Sequence, residues 1–256
     1  MNYLYNLVIS LAGIILKILA VFNKKIALFV NGRKHTFSRL QSQIKPNDKT
    51  IWIHCASLGE FEQGRPIIEK LRKSKPSYKI VLSFFSPSGY EVRKNYKEVD
   101  IVVYLPLDSV RNAKKFIDLV QPSLAIFVKY EFWPNILKEL KRNSIQTILI
   151  SGIFRKEQVF FKFFGGWMKK SLNSFSHFFV QNENSKKLLQ TIGINKVTIS
   201  GDTRFDSVNT IGRQNNKLEF LEDFVKDKLV LVAGSTWPID ESYLTSFLNM
   251  KQSENF

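Results

Sequence analysis

Residues able to do chemistry sit directly behind apolar runs at several points along the chain. "ASLGEFEQGRP", Ala56 to Pro66, places Ser57, Gly59, Glu60 and Glu62 after the strand-like "TIWIHC". A carboxylate at such a turn can take a proton from a substrate hydroxyl, and Gly59 can adopt a positive φ that turns backbone amides toward a ligand. The same acid also suits a helix start, where the dipole favours negative charge. Local spacing leaves both readings of Glu60 open, whereas Glu62 and Arg65 read as a solvated outer face.

"VKYEFWPN", Val128 to Asn135, sets Glu131, Trp133 and Asn135 at the end of another apolar run, with Pro134 opening a helix. Its alternative is a local Glu131–Lys129 pair with Phe132 and Trp133 in the core. "SGIFR" offers Ser151, Gly152 and Arg155 after a third run. "SGDTRFD" offers Arg204, a planar donor for phosphate or carboxylate, unless it pairs with Asp202 or Asp206. In "VAGSTWPIDE", Ser235 and Thr236 can hold a phosphate on amides and hydroxyls, or simply cap a helix. This stretch lacks the glycine spacing of a P-loop or dinucleotide fingerprint. His35, His54 and His177 are scattered and Cys55 stands alone, so no metal-ligand spacing is present. Cys55 reads as a small buried hydrophobe.

Strand-like and helix-like segments alternate to position these residues. "TIWIHCA", "KIVLSFF", "IVVYL", "SLAIFV", "QTILIS", "HFFVQ" and "KVTISG" are near-continuous apolar runs separated by helical patterns. That order predicts an α/β fold with a parallel sheet covered on both faces. Helices are expected from about Pro66 to Lys73, near Tyr90 to Tyr96 and after Pro134. The polar "RQNNKLEFLEDFVKDK" reads as helical, "LVLVAGSTW" restarts a strand, and a last helix is expected over about Asp240 to Asn249. One strand and one helix cannot bury a core of their own, so the chain is expected to stop just inside a second domain. The division expected is 1–30, 35–212 and 213–256.

The first of these segments is an anchor. "YLYNLVISLAGIILKILAVF", Tyr3 to Phe22, carries one charge, Lys17, and has about the length that crosses ~30 Å of hydrocarbon. Lys24, Lys25, Arg33, Lys34 and Arg39 follow it, predicting an uncleaved membrane anchor with the body on the cytoplasmic side. The alternative is an interfacial helix packed on the domain. Over the whole chain, 38 basic residues against 22 acidic give a charge of +16, which favours an anionic partner. No basic recognition helix or RNA-binding aromatic signature supports nucleic acid as that partner. A hydrophobic content of 44% excludes a disordered chain.

Taken in order, "ASLGEFEQGRPII", "EFWPN", "SGIFR", "FVQNENS", "SGDTRFD" and "VAGSTWPIDE" behind an anchor and a basic "GRK" resemble the 3-deoxy-D-manno-octulosonic acid (Kdo) transferases of lipid A glycosylation. The resemblance covers almost the whole chain. It implies the N-terminal Rossmann-like, acceptor-binding domain of a two-domain GT-B glycosyltransferase, with only the start of the donor domain. It further implies CMP-Kdo as donor, the lipid A precursor (lipid IVA) as acceptor, inversion at the anomeric carbon, an inner-membrane location, and no metal or other cofactor. By resemblance, Glu60 matches the proton acceptor, and Glu131 and Arg204 match transition-state stabilisers. Arg204 stands where the pattern "GNxKFD" commonly has lysine, and Asp202 where it has asparagine. A guanidinium fork is not equivalent to an ammonium point charge. Two other readings stay open: a non-catalytic lipid-binding remnant, and another lipid-directed nucleotide-sugar transferase, because fold alone does not choose a donor.

Overall fold

The computed structural model describes residues 2–163, 165–212, 219–226 and 230–252. Two compact units divide between Ile211 and Gly212. The first opens with three helices, α1 (Asn2–Leu19), α2 (Lys24–Lys34) and α3 (Thr36–Gln43), and then alternates strand and helix. The alternation runs β1 (Thr50–Cys55), α4 (Leu58–Ser74), β2 (Lys79–Phe84), α5 (Pro87–Arg93), β3 (Ile101–Tyr104) and α6 (Val110–Val120). It continues with β4 (Pro122–Val128), α7 (Pro134–Arg142), β5 (Gln146–Gly152), α8 (Gly166–Leu172), β6 (His177–Val180), α9 (Glu183–Thr191), β7 (Val197–Ile199) and α10 (Arg204–Gly212).

All seven apolar runs form strands of one parallel sheet, in the order β3-β2-β1-β4-β5-β6-β7. The order reverses between β1 and β4, and an open α/β sheet keeps its ligand crevice at the carboxyl ends of the strands flanking that reversal. Side-chain parity divides the core. Ile51, Ile53 and Cys55 face one layer with Phe61 and Ile68 of α4, and Trp52 faces the other with Phe116, Phe127, Leu137 and Phe178. Cys55 is fully buried in the first layer, and burial pushes its thiol well above the usual range.

α4 begins eight residues before the expected Pro66. Ser57 is its N-cap, and Glu60, at the third helical position, returns to accept hydrogen bonds from the Ala56 and Ser57 amides at 2.5 and 3.1 Å. This reciprocal cap satisfies amides that a helix start otherwise leaves orphaned, and it carries the helix through Pro66 despite the usual cost of an interior proline, about 3 kcal/mol. Glu60 and Glu62 therefore lie inside the first turns, not ahead of them. α5 likewise starts earlier than expected, at Pro87 behind the Ser86 cap.

α1 lies against the domain. The Tyr5 hydroxyl donates to Asp108 Oδ2 at 2.8 Å, its ring packs 5.7 Å from Trp167, and Gly13 closes onto Leu107, where a Cβ would stand 3.2 Å from a methyl group. Leu4, Leu7, Val8, Leu11, Ile14, Ile15 and Ile18 recur at helical spacing and are exposed, forming an apolar stripe on the opposite side. Among the described residues no helix is long and apolar enough to cross a membrane. In the structure α1 is an amphipathic helix tied to the body by these contacts.

The second unit contains α11 (Glu219–Val225) and α12 (Pro238–Gln252). The expected helix from Arg213 falls partly outside the described residues, as does Leu229 of the expected strand. Residues 230–234 are not a strand, and Leu231 and Val232 are exposed. A strand needs a neighbour for its amides and carbonyls, and no other strand occurs among the described residues of this unit.

Candidate active site

The two acids singled out from sequence follow the two strands at the reversal: Glu60 comes after β1 and Glu131 after β4. Glu60 is half-buried, and its carboxyl is raised above the usual value, first by burial and then by the charge of Glu131. His54 and the two amide hydrogen bonds pull in the opposite direction without cancelling the rise. The carboxylate is held in one orientation while its proton affinity is increased, which is what a base working near neutrality requires.

Glu131 is buried at 8% exposure, in the loop that Lys129 turns with a positive φ of 71°. Its Oε2 accepts from the Trp133 indole N–H at 2.8 Å and lies 3.2 Å from His54 Nε2. The local pair with Lys129 does not form; the Lys129 ammonium stands 5.1 Å over the Tyr130 ring. The fully buried His54 ring is held at its other edge by Ser83, whose carbonyl and hydroxyl lie 3.1 and 2.9 Å from Nδ1. A carbonyl only accepts, so Nδ1 meets the Ser83 carbonyl as a donor when it carries the hydrogen, and can accept from the Ser83 hydroxyl when it does not. Trp52 Nε1 donates to the Ser83 hydroxyl at 2.8 Å and completes the chain Trp52–Ser83–His54–Glu131–Trp133. His54 was not singled out from the sequence. The available signal was its parity: it shares the face of Trp52 at the carboxyl end of an otherwise apolar strand, where a buried polar side chain needs a partner.

The remaining predicted residues divide. Above Gly59 the surface is open, since a Cβ there would meet only Ser57 Oγ at 4.0 Å. Gly59 is helical, however, and the positive-φ glycines of the described residues are Gly193 and Gly201, so the expected turn at Gly59 is not there. Gly201 does turn, at φ 75°, ahead of Arg204. Arg204 opens α10 with its side chain 61% exposed, and its Nε and terminal nitrogen donate to Asp202 Oδ2 at 2.9 and 2.6 Å. Burial pushes the Asp202 carboxyl up, but the Arg204 hydrogen bonds more than offset it and hold the group at about 2. Gln63, on α4 three residues past Glu60, donates to Asp202 Oδ1 at 3.1 Å and accepts from Thr203 at 2.6 Å, fixing the start of α10 to the helix of the candidate base.

Ser151 is fully buried, with its hydroxyl 2.7 Å from that of Thr203, and an added Cβ at Gly152 would meet Leu149 at 2.9 Å. These two residues close the carboxyl end of β5, between β4 and β6, and have no open face to present. Arg155 is exposed in the loop beyond them. Asn135 turns away from Glu131: its amide nitrogen donates to Asn6 and Asp108, so it ties α7 to α1. Ser235 and Thr236 belong to the second unit, where the Thr236 hydroxyl donates to Glu241 at 2.9 Å. Asp108, fully buried and capping α7 through the Asn135 and Ile136 amides, is a second organising residue that sequence reading missed.

Comparison with known proteins bears on the fold and the family. The chain is similar to UDP-N-acetylglucosamine 2-epimerase structures, with a TM-score of 0.52 and 12% identity over 71% of this chain and 56% of that one. At that identity the likeness is one of fold. Among curated proteins, a bifunctional glycosyltransferase/methyltransferase of Fusobacterium nucleatum is 28% identical over 97% of this chain and 39% of its own length. The 3-deoxy-D-manno-octulosonic acid transferases of Rickettsia prowazekii and Aquifex aeolicus are 27% and 28% identical over 78% and 60% of this chain, and 43% and 40% of theirs. The chain thus spans less than half the length of these relatives. The family model for 3-deoxy-D-manno-octulosonic-acid transferase matches residues 31–207, which contain the whole sheet and Glu60, Glu131 and Arg204, and the chain belongs to that family.

Proposed function

We propose that this chain is the acceptor-binding part of a glycosyltransferase that moves Kdo from CMP-Kdo to the lipid A precursor, lipid IVA, with inversion, in lipopolysaccharide core biosynthesis. The observation that carries the reading is Glu60: a carboxylate fixed by two amides at the reversal point of the sheet, with its proton affinity raised by burial and by Glu131. In the proposed reaction Glu60 takes the proton of an acceptor hydroxyl as that oxygen bonds to the anomeric carbon of Kdo. The bond to CMP breaks on the opposite face, and CMP leaves with the electron pair. Because the donor is already activated, catalysis rests on a placed base and on fixed charges that meet those of the transition state. Glu131, oriented by His54 and Trp133, faces developing positive charge at the sugar. Arg204 meets the carboxylate of Kdo or the donor phosphate after exchanging its Asp202 partner. Ser57, Gly59 and Trp133 border the acceptor.

The charge of +16 and the apolar stripe of α1 support a place at the anionic cytoplasmic face of an inner membrane, where the lipid acceptor resides. Membranes carrying the chain, supplied with CMP-Kdo and lipid IVA, are expected to yield Kdo-extended lipid, and Glu60→Gln to abolish it. Transfer that survives this substitution removes Glu60 as base, and equal transfer from another activated sugar reassigns the donor. The stripe of α1 also favours a second reading, lipid binding without turnover, which predicts vesicle binding and no extended lipid even with enzyme and donor in excess.

A further inference from the structure

α1, α7 and α8 enclose a cleft of about 760 Å³ on the first unit, distinct from the Glu60–Glu131 crevice. Lys138 and Lys141 of α7, three residues apart and so on one helical face, line it together with Lys170 of α8. No carboxylate is among the lining residues, and Glu139, the acid on α7, is engaged by Arg142 at 2.9 Å. Three cations gathered around a concave surface repel one another, and an anion placed between them relieves that repulsion. The remaining wall is aromatic: Tyr5 and Trp167 form a tilted ring pair, and Tyr3 lies beside them at 92% exposure. Phe163, 99% exposed, precedes this wall in the loop leading to α8. Tyr5 belongs to the helix that carries the exposed apolar stripe, with Leu4, Leu7 and Val8 next to the cleft in sequence. Tyrosine and tryptophan are the side chains that settle at the headgroup level of a bilayer.

A cationic cleft with an aromatic wall, one side of it built from the helix whose other face carries an exposed apolar stripe, offers charged and apolar surfaces of the kind a phosphate-bearing amphiphile presents. We infer that this cleft binds the phosphate of a lipid headgroup, with the acyl chains lying along α1. The site does not depend on the transfer reaction proposed above, because none of its cations belongs to the crevice of Glu60.

The test uses the full chain and the indole N–H signal of Trp167, assigned by Trp167→Phe. Phosphatidylcholine vesicles with and without a minor fraction of phosphatidic acid are one probe, and inorganic phosphate is the other. Vesicles containing phosphatidic acid are expected to bind and shift Trp167. The triple variant K138S/K141S/K170S is expected to weaken that binding at least about tenfold, and K73S/K75S/K114S to change it less than about threefold, with unfolding midpoints unchanged. A matching shift produced by inorganic phosphate, abolished by the same triple variant, keeps the phosphate site and assigns it to a soluble ligand. Equal losses in the two triple variants would show uniform attraction of a basic protein to an acidic surface and overturn the site, as would a Trp167 signal that neither probe moves.

Discussion

His54 Nε2 and Glu131 Oε2 lie 3.2 Å apart, joining the carboxyl end of β1 to the loop after β4. Both groups are buried, and neither has another ionisable partner in the polar chain that runs from Trp52 to Trp133. Removing one member of such a pair leaves the other without compensation. His54→Phe is therefore expected to lower stability by about 3 kcal/mol, and a cycle with Glu131→Gln to show coupling of about 1 kcal/mol or more, by urea unfolding. His54 also holds down the Glu60 carboxyl, so carbon NMR of Glu60 in the variant should find it raised further. Additive losses with Glu60 unmoved would mean that His54 is ordinary core.

Glu60 links the site to stability through pH. Burial and Glu131 hold its carboxyl above the ordinary 4.5, so in the window between that value and the raised one the native state keeps a proton that the unfolded chain releases. Stability then falls as pH rises through this window. Glu60→Gln removes the term while keeping an oxygen for the Ala56 and Ser57 amides. Its Tm should exceed that of the parent above the window, and the difference should vanish below pH 4.5. A difference that does not change with pH would place the effect in packing. The rate of transfer, under the proposed role, rises with pH through the same window.

The division between what the sequence disclosed and what it hid has a physical origin. Near-continuous apolar runs such as "KIVLSF" and "SLAIFV" can be satisfied only in a covered parallel sheet, so every strand of the first unit was legible, as was the place of Glu60 and Glu131 beside it. "VLVAG", residues 230–234, has the same local pattern and is not a strand, because pairing depends on a neighbour that an apolar run does not supply. The start of α4 was obscured by Pro66, although Ser57 and Glu60 already carry the S-x-x-E signature of a capping box. His54 and Asp108 were missed for another reason. Their partners Ser83, Glu131, Tyr5 and Asn135 are distant in sequence, and only the strand order brings them together.

Arg204 separates function from stability. The Asp202 carboxyl sits at about 2 because the Arg204 hydrogen bonds outweigh burial, so this pair contributes stability above the usual 3.8 and loses it as pH falls toward 2. With Arg204 61% exposed, solvent screens the pair, and Arg204→Ala is expected to cost less than about 1 kcal/mol. Under the proposed role the same change lowers transfer at least about a hundredfold, and Arg204→Lys recovers part of it. Full transfer by the alanine variant would leave Arg204 as a surface partner of Asp202.

Packing between α5 and β2 is close enough to be tested by one methyl group. A Cβ at Gly89 would stand 2.3 Å from Phe84 Cδ1 and 2.7 Å from Cε1, and the fully buried Phe84 ring is backed by Phe61 at 5.9 Å. Gly89→Ala gains roughly 1 kcal/mol in helix propensity, yet a net loss of about 2 kcal/mol is expected from overpacking. Chemical denaturation should show an earlier midpoint with an unchanged slope. A stabilised variant would mean that α5 moves outward freely, which its contact with the Phe84 ring argues against.

One tie of α1 to the body is a hydroxyl, beside the Asn6–Asn135 hydrogen bond. Tyr5 donates to Asp108 Oδ2 at 2.8 Å, and the same carboxyl accepts the Asn135 and Ile136 amides at 3.0 and 2.9 Å. Burial raises the Asp108 carboxyl despite these three donors, and the loss of Tyr5 as a donor raises it further. Tyr5→Phe keeps the ring against Trp167 and removes only the hydrogen bond, so a loss of about 1–2 kcal/mol is expected. That loss should be local. α1 buries one face only, and its amides should exchange with solvent faster in the variant while those of β1, within the core, keep their protection. Equal acceleration in α1 and β1 would show that the helix unfolds with the sheet as one cooperative body. Unchanged exchange in both would show that α1 is held by the Asn6–Asn135 hydrogen bond, Gly13 against Leu107 and the Tyr5–Trp167 ring pair without help from the Tyr5–Asp108 bond.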